Sequence, residues 1–381
     1  MKKIHLTPNL NWEKSCDDLG FYFHSVDGKY WIEDYAFEFS QKEINLIEKA
    51  GNELQAMCID LVSDTIKNGD MDRYAIDPYH FAEIENSWKR KDFHLYGRFD
   101  LSYDGIGFPK LLEYNADTPM SIIESGIIQK NWYNEHKFTT GQFNYLEEDL
   151  TERFKQWKTH NRRFRDNLHL ACDSRSQEEW CNLEYLKEIA IKAGINAKFI
   201  TLEDIIWNDT QQIFLDMENN HIEALFKIYP WEFLIKDMFY PHIATSQLEV
   251  LEPMWKMLIS TKSILPLLWE KHEGHPNLLP SFFSEEKMKS LGVNYVKKPI
   301  YSREGENIEV YEKQNIVDNQ VGNYGSEGFI YQQRKDVMCF DNRYSMIGLW
   351  IVGDKASGIG IREDASIITK DTSWFVPHYI K

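Results

Sequence analysis

Cysteine is scarce and never closely spaced: Cys16, Cys58, Cys172, Cys181 and Cys339 are odd in number, scattered, and form no C-x-x-C pair. That excludes a disulfide framework and a zinc knuckle. No stretch approaches 18 consecutive apolar residues, so no membrane-crossing helix is predicted. The N-terminal stretch lacks the apolar core of an export signal, and a cytoplasmic location is expected. The familiar phosphate-binding loops are missing too, since neither G-x-x-x-x-G-K-[ST] nor a G-x-G-x-x-G after a strand occurs. Positive charge is in deficit: 43 Lys and Arg face 60 Asp and Glu, a net of −17. A field of that sign repels phosphate backbones and anionic bilayers, so neither nucleic acid nor membrane is an expected partner. An acidic surface keeps a protein soluble, and the same field favours cationic substrates or a divalent metal.

What is present is ample material for burial. The chain has 381 residues, 43% hydrophobic, with 12 Trp, 20 Tyr and 22 Phe, which excludes a disordered chain and predicts more than one core. Apolar residues at helical spacing from Ser40 to about Lys67, opened by a Ser40–Glu43 capping box, predict a long amphipathic helix. Tyr96 to Tyr103, a turn at Asp104-Gly105, and Lys110 to Asn115 predict a β-hairpin. Leu168 to Cys172, a helix capped at Ser176 and Glu179 and stopped at Gly194, and Ala197 to Thr201 predict a βαβ unit, with a further strand over Glu223 to Ile228. From about Tyr295 the pattern turns to strands, at Tyr295 to Ile300, Phe329 to Gln333, Ser345 to Val352 and Ala356 to Arg362, and an antiparallel sheet is expected there. The fold class is therefore α/β of the α+β kind.

Chemistry-bearing residues gather in the hairpin. Alternation puts Arg98 and Asp100 on one face, and Glu113 and Asn115 share a face on the returning strand. Two carboxylates and an amide oxygen are hard ligands suited to Mg²⁺ with phosphate oxygens. On spacing alone the same pattern reads first as an ion-paired strand face in which Arg98 neutralises Asp100 and Glu113. Lys297-Lys298-Pro299 ends a strand ahead of the polar loop Ser302-Arg303-Glu304-Gly305, which could fold over phosphates. Lys262 reads equally as a solvated helix-start lysine, and Arg362, among the glycines of Gly358 to Asp364, as an edge-strand charge. No Ser-His-Asp or Cys-His arrangement stands out.

These segments occur together and in order. Arg98-Phe99-Asp100, Glu113-Tyr114-Asn115-Ala116-Asp117-Thr118-Pro119, Lys298-Pro299 with Arg303-Glu304-Gly305, Ile330-Tyr331-Gln332-Gln333 and Gly358 to Asp364 resemble the glutathionylspermidine synthase family, closest to its short bacterial members. The resemblance implies an ATP-grasp fold with antiparallel sheets and a preATP-grasp-like βαβ subdomain, and ATP-dependent joining of a carboxylate to an amine through an acyl phosphate. It implies Mg²⁺ on Asp100, Glu113 and Asn115. ATP phosphates fall to Lys262 and Lys298 with the loop at Ser302 and Gly305, and the adenine hinge to Gln332 and Gln333. Arg98 and Arg362 become catalytic and substrate-binding, with Ser121, Glu178 and Glu179 also on the substrate side; Glu179 is weighed equally as a capping residue. The small-molecule partners implied are a peptide-like acid and a cationic amine such as a polyamine.

The expected divisions are an N-terminal part of the synthetase core over 1–165, an α/β subdomain over 166–254 and an ATP-binding antiparallel part over 255–381. The segment ahead of the hairpin is too short for the amidase domain of bifunctional members, so hydrolysis of the product is not expected. Ser302 stands where a glycine is usual and Met120 interrupts the run after Thr118-Pro119, so the substrates are expected to differ in detail. Two other readings compete: an ATP-binding member without turnover, against which every metal and lysine position is filled, and a carbohydrate hydrolase working through paired carboxylates, which the missing export signal disfavours.

Overall fold

The computed structural model describes residues 1–25, 28–160 and 167–381. The expected boundary between 1–165 and 166–254 falls outside the described residues. A central antiparallel sheet runs Trp374–Val376, Lys355–Asp364, Arg343–Val352, Tyr96–Ser102, Lys110–Asn115, with Met338–Phe340 also paired to Arg343–Val352. The hairpin is thus held by strands from the far end of the chain.

One face of this sheet is apolar. Phe99, Leu101, Ile347, Leu349, Ile351, Ile359 and Ile361 alternate inward and are buried, against the long helix Gln41–Asn68. That helix begins where both halves of the Ser40–Glu43 capping box form and ends at Gly69 in the left-handed conformation. Helix and sheet approach closely because Gly51 lacks a side chain, and a Cβ there would come 2.4 Å from Leu349 Cδ2. Tyr114, stacked on Phe99 at 3.9 Å between centroids, donates its hydroxyl to Gln55 Oε1 at 2.8 Å, which satisfies both polar groups in the core.

The βαβ expectation holds: Asn167–Cys172 and Asn196–Thr201 pair in parallel around helix Gln177–Lys192, and Ala224–Lys227 and Glu249–Leu251 extend the sheet. Ser176 Oγ accepts from the Glu179 N–H, but the Glu179 carboxylate turns to the Asp173 N–H at 3.2 Å instead of back to Ser176.

The C-terminal third differs from the single sheet expected. Arg343–Val352 and Lys355–Asp364 join the hairpin, whereas Ser281–Phe282, Phe329–Gln333, Tyr295–Pro299, Glu309–Glu312 and Asn315–Asn319 make a separate five-stranded antiparallel sheet. Phe329–Gln333 alternates buried and half-buried positions while Arg343–Val352 is buried along nearly its whole length, and partner choice is decided by which faces find a core. A small three-stranded sheet joins Lys2–His5, Tyr35–Phe39 and His378–Ile380. Among the described residues no helix is long and apolar enough to cross a membrane.

Candidate active site

The polar face of the central sheet looks into a cleft of about 220 Å³ bounded by the five-stranded sheet. Register puts Asp100 opposite Glu113 and Arg98 opposite Asn115, so the four side chains share that face. Gly348 lies opposite Asp100 on the other side, Gly360 opposite Gly348, and Arg362 opposite Met346. The glycines make room: a Cβ on Gly348 would lie 2.8 Å from Arg98 Cδ.

Arg98 and Asp100 form a bidentate pair, Nε to Oδ1 at 2.7 Å and Nη2 to Oδ2 at 3.1 Å, and Arg98 Nη1 donates to the Met120 carbonyl at 2.6 Å. Burial works against the guanidinium, but Asp100 and Glu113 hold it firmly charged. Asn115 Nδ2 donates to Asp100 Oδ2 at 3.0 Å. Glu113 Oε1 lies 2.8 Å from Lys262 Nζ. Burial pushes the Glu113 carboxyl up, and Lys262, Lys298 and Arg98 together bring it below its ordinary value. The ion-paired strand face of the sequence reading is present in part: Arg98 pairs with Asp100, whereas Glu113 pairs with Lys262.

Lys298, buried at the end of its strand, donates to the Leu112 carbonyl at 2.7 Å and to Gln332 Oε1 at 2.8 Å. Burial and the neighbouring Lys262 bring it down to about 8, against the pull of Glu113 and Asp100. Gln332 is turned inward, donating to the Leu111 carbonyl at 3.0 Å, so its side chain braces Lys298; Gln333 lines the cleft. Lys262 Nζ also donates to the Ser302 carbonyl at 2.9 Å, tying this lysine to the loop, while Ser302 Oγ is buried with no hydrogen-bond partner among the described residues. Gly305, at φ +73°, sits where a Cβ would strike Ile368 Cγ2 at 2.4 Å, so only glycine lets the loop rest on the 367–369 segment. Arg303 anchors the loop to Thr118 Oγ1 at 3.0 Å and Glu232 Oε1 at 3.2 Å.

On the opposite rim, Arg362 holds the Lys370 and Asp371 carbonyls. Glu178 is raised by burial, opposed by Arg362, whereas Glu179, pushed up to about 7 by burial, is spent on the Asp173 N–H. The two acids thus point to different surroundings. Ser121 is buried in the left-handed conformation at φ +74°, rare outside glycine and frequent at functional turns. It follows Met120, whose carbonyl takes the Arg98 bond. Three groups near the rim had no reading as site residues: Arg303, Asp371 and Glu124. Arg303 lay inside the recognised loop; Glu124 shows in the sequence only as an acid interrupting the apolar run of Ile122 to Ile128.

Among the described residues no three His, Cys, Asp or Glu side chains cluster as a metal site.

The architecture is that of glutathione synthetase-like, ATP-grasp-type folds. An apo structure of a glutathione synthetase-like effector from Globodera pallida superposes with a TM-score of 0.56 at 10% identity, covering 98% of this chain and 97% of that one. The sequence relationships support an ATP-dependent ligase that forms carbon–nitrogen bonds. The glutathionylspermidine synthase preATP-grasp model matches residues 3–381, and the chain belongs to that family. It is similar to a Haemophilus influenzae protein named "Putative acid--amine ligase", 39% identical with 95% of each chain covered. A trypanothione synthetase of Crithidia fasciculata is 29% identical over 79% of this chain and 49% of its own. The bifunctional glutathionylspermidine synthetase/amidase of Escherichia coli is 26% identical over 86% and 56%. This chain spans about half the length of those last two relatives.

Proposed function

We propose that this protein joins a peptide-like carboxylate to a cationic amine at the expense of ATP, through an acyl phosphate formed in the cleft between the two antiparallel sheets. The observation that carries this is the convergence of Arg98, Asp100, Glu113, Asn115, Lys298 and Arg362 on one cleft from strands of three separate chain segments. Lys298, with two of its three N–H donors engaged, and Lys262 supply positive charge for the phosphates, the Ser302–Gly305 loop covers them, and the strand end at Gln332 and Gln333 lies beside the base. Asp100, Glu113 and Asn115 form the donor set that would hold Mg²⁺, which suits one or two carboxylates plus phosphate oxygens and would neutralise charge on the transferring phosphoryl group.

Arg98 and Arg362 have planar forks suited to a carboxylate. In the first step a carboxylate oxygen attacks the γ-phosphorus and the bond to the β-phosphate oxygen breaks. In the second the amine nitrogen attacks the acyl carbon and inorganic phosphate leaves. Both steps depend on positioning and electrostatics more than on a protein nucleophile, and the site offers none. The cationic character of the amine is supported by Glu178 beside Arg362 and by the net charge of −17.

ADP release, assayed across peptide-like acids and mono- and polyamines, should require one of each, with the amide found by mass spectrometry. Release that ignores the acid, or a preference for anionic amines, would sink the reading. Lys298→Ala should lose thermal stabilisation by Mg²⁺ with a non-hydrolysable ATP analogue.

A further inference from the structure

Behind the rim of the cleft lies a carboxylate with one oxygen committed and one idle. Glu124 opens a wide helical turn, Glu124–Ile128, and is wholly excluded from solvent. Its Oε1 accepts from the Tyr30 hydroxyl at 2.6 Å, and its Oε2 has no hydrogen-bond partner among the described residues. An unpartnered buried carboxylate oxygen is costly to keep and calls for an explanation by function. Wide turns of this kind also recur at functional sites.

Its position is set from two sides. Asn182 Oδ1 accepts from the Ile122 and Ile123 N–H groups at 2.8 and 3.3 Å, and its Nδ2 donates to the Glu178 carbonyl at 2.8 Å. That clamps the turn carrying Glu124 to the helix carrying Glu178. From the other side, the site face of the sheet admits the turn at Gly360, where a Cβ would meet Ser125 Oγ at 2.5 Å; Arg362 follows two residues later on the same face. The charged and titratable groups facing Glu124 are Tyr30, Glu178 and Arg362, with Cys181 on the packed helix.

We infer that Glu124 is the group that takes the proton from the attacking amine, with Tyr30 holding its carboxylate in place. The inference rests on the ligase reading above and adds to it a residue and a step. An alkylammonium transfers one proton to Glu124 Oε2; the freed nitrogen lone pair forms the C–N bond, the acyl C–O bond breaks, and the second nitrogen proton leaves with the departing phosphate as hydrogenphosphate. Burial and the neighbouring Glu178 push the Glu124 carboxyl up to about 8, against Tyr30 and Arg362. A base that titrates near neutrality is well matched to accepting such a proton.

The test compares two nucleophiles on the full chain, using the acid, glutathione first, that gives hydroxamate with wild type. Hydroxylamine is largely unprotonated at neutral pH and needs no base before attack; spermidine must lose a proton. Glu124→Gln should lose about 10²-fold in turnover with spermidine, with a clearly smaller loss for hydroxylamine, and should flatten the alkaline rise of the spermidine pH profile. Equal losses with both nucleophiles, or no loss with either, would overturn the inference. If Glu124→Gln does not fold, Tyr30→Phe decides: without the donated hydrogen bond the limb of the pH profile should move to higher pH, and an unmoved limb counts against the role. Wild-type hydroxamate with Glu124→Gln unimpaired removes the inference and leaves the ligase reading standing; no hydroxamate from any acid removes both.

Discussion

Asp117 Oδ1 lies 2.9 Å from Lys227 Nζ in a pair almost wholly withdrawn from solvent, and the second Asp117 oxygen accepts from the Trp231 N–H at 2.8 Å. Asp117 belongs to the most recognisable segment of the sequence, Glu113 to Pro119, yet it is not itself among the residues that line the cleft. It fastens the hairpin to the parallel sheet.

Removing one member of this pair leaves an uncompensated buried charge, which costs about 3–5 kcal/mol. Lys227→Met should lower the unfolding free energy by that order in urea titration. Lys227→Met with Asp117→Leu should recover part of the loss, and additive losses would show that the pair does not act as a unit.

Asp100 and Arg98 make a second such case, with consequences for how metal-site variants are read. Because both are buried, Asp100→Ala strands the guanidinium and should destabilise by about 3 kcal/mol, whereas Glu113→Gln, at a more exposed side chain paired to Lys262, should cost less. Both should abolish turnover. Urea titration beside ADP release separates the two effects: Asp100→Ala no less stable than wild type would mean that Arg98 finds another partner.

Gly348 tests how tightly Arg98 must be placed. In Gly348→Ala the new methyl would sit against the arginine stem, and a displacement of about 1 Å at a reacting centre can cost on the order of 10² in rate. Turnover should fall steeply while the melting temperature changes by only a few degrees. A large loss of stability with normal residual activity would contradict it.

Glu33 gives a pH dependence away from the cleft. Burial raises its carboxyl to about 7, against hydrogen bonds from the Trp31 indole and the Asn9 N–H. The folded value exceeds the unfolded one, so stability from the neutral form is complete below the ordinary carboxyl range and is lost as pH rises through about 7. Glu33→Gln should therefore stabilise at pH 8 by about 1–3 kcal/mol and make little difference at pH 4. Melting curves across that range check it.

Local signals were the legible part of this molecule. The Ser40–Glu43 box, the Asp104-Gly105 turn, and the strand–helix–strand run from Leu168 to Thr201 each depend on neighbours in sequence, and their elements stand where residue types and periodicity put them. The site-face alternation of Arg98, Asp100, Glu113 and Asn115 was legible for the same reason. Sheet membership was not. Phe329–Gln333 and Arg343–Val352 both read as apolar strands, and the long helix on one side and the cleft on the other separate them into two sheets. Tyr35–Phe39 and His378–Ile380 are short and gain their pairing from segments far away. Glu124 was hidden by its apolar surroundings, since its partner Tyr30 belongs to another region of the chain. Gln332 was legible as part of a motif, but its side chain braces Lys298 rather than reaching outward.

The pairing of Tyr96–Ser102 with Arg343–Val352 sets the order in which the protein can acquire its chemistry. Closing a loop across most of the polypeptide carries an entropy cost that must be met before the contacts it brings are made, and such high contact order slows folding. Until the late strands dock, Arg98 and Asp100 sit on a sheet edge with open backbone hydrogen bonds, an invitation to pair with another molecule. Refolding should regain helical signal well before nucleotide binding, and intermediates caught in that interval should be the ones that aggregate.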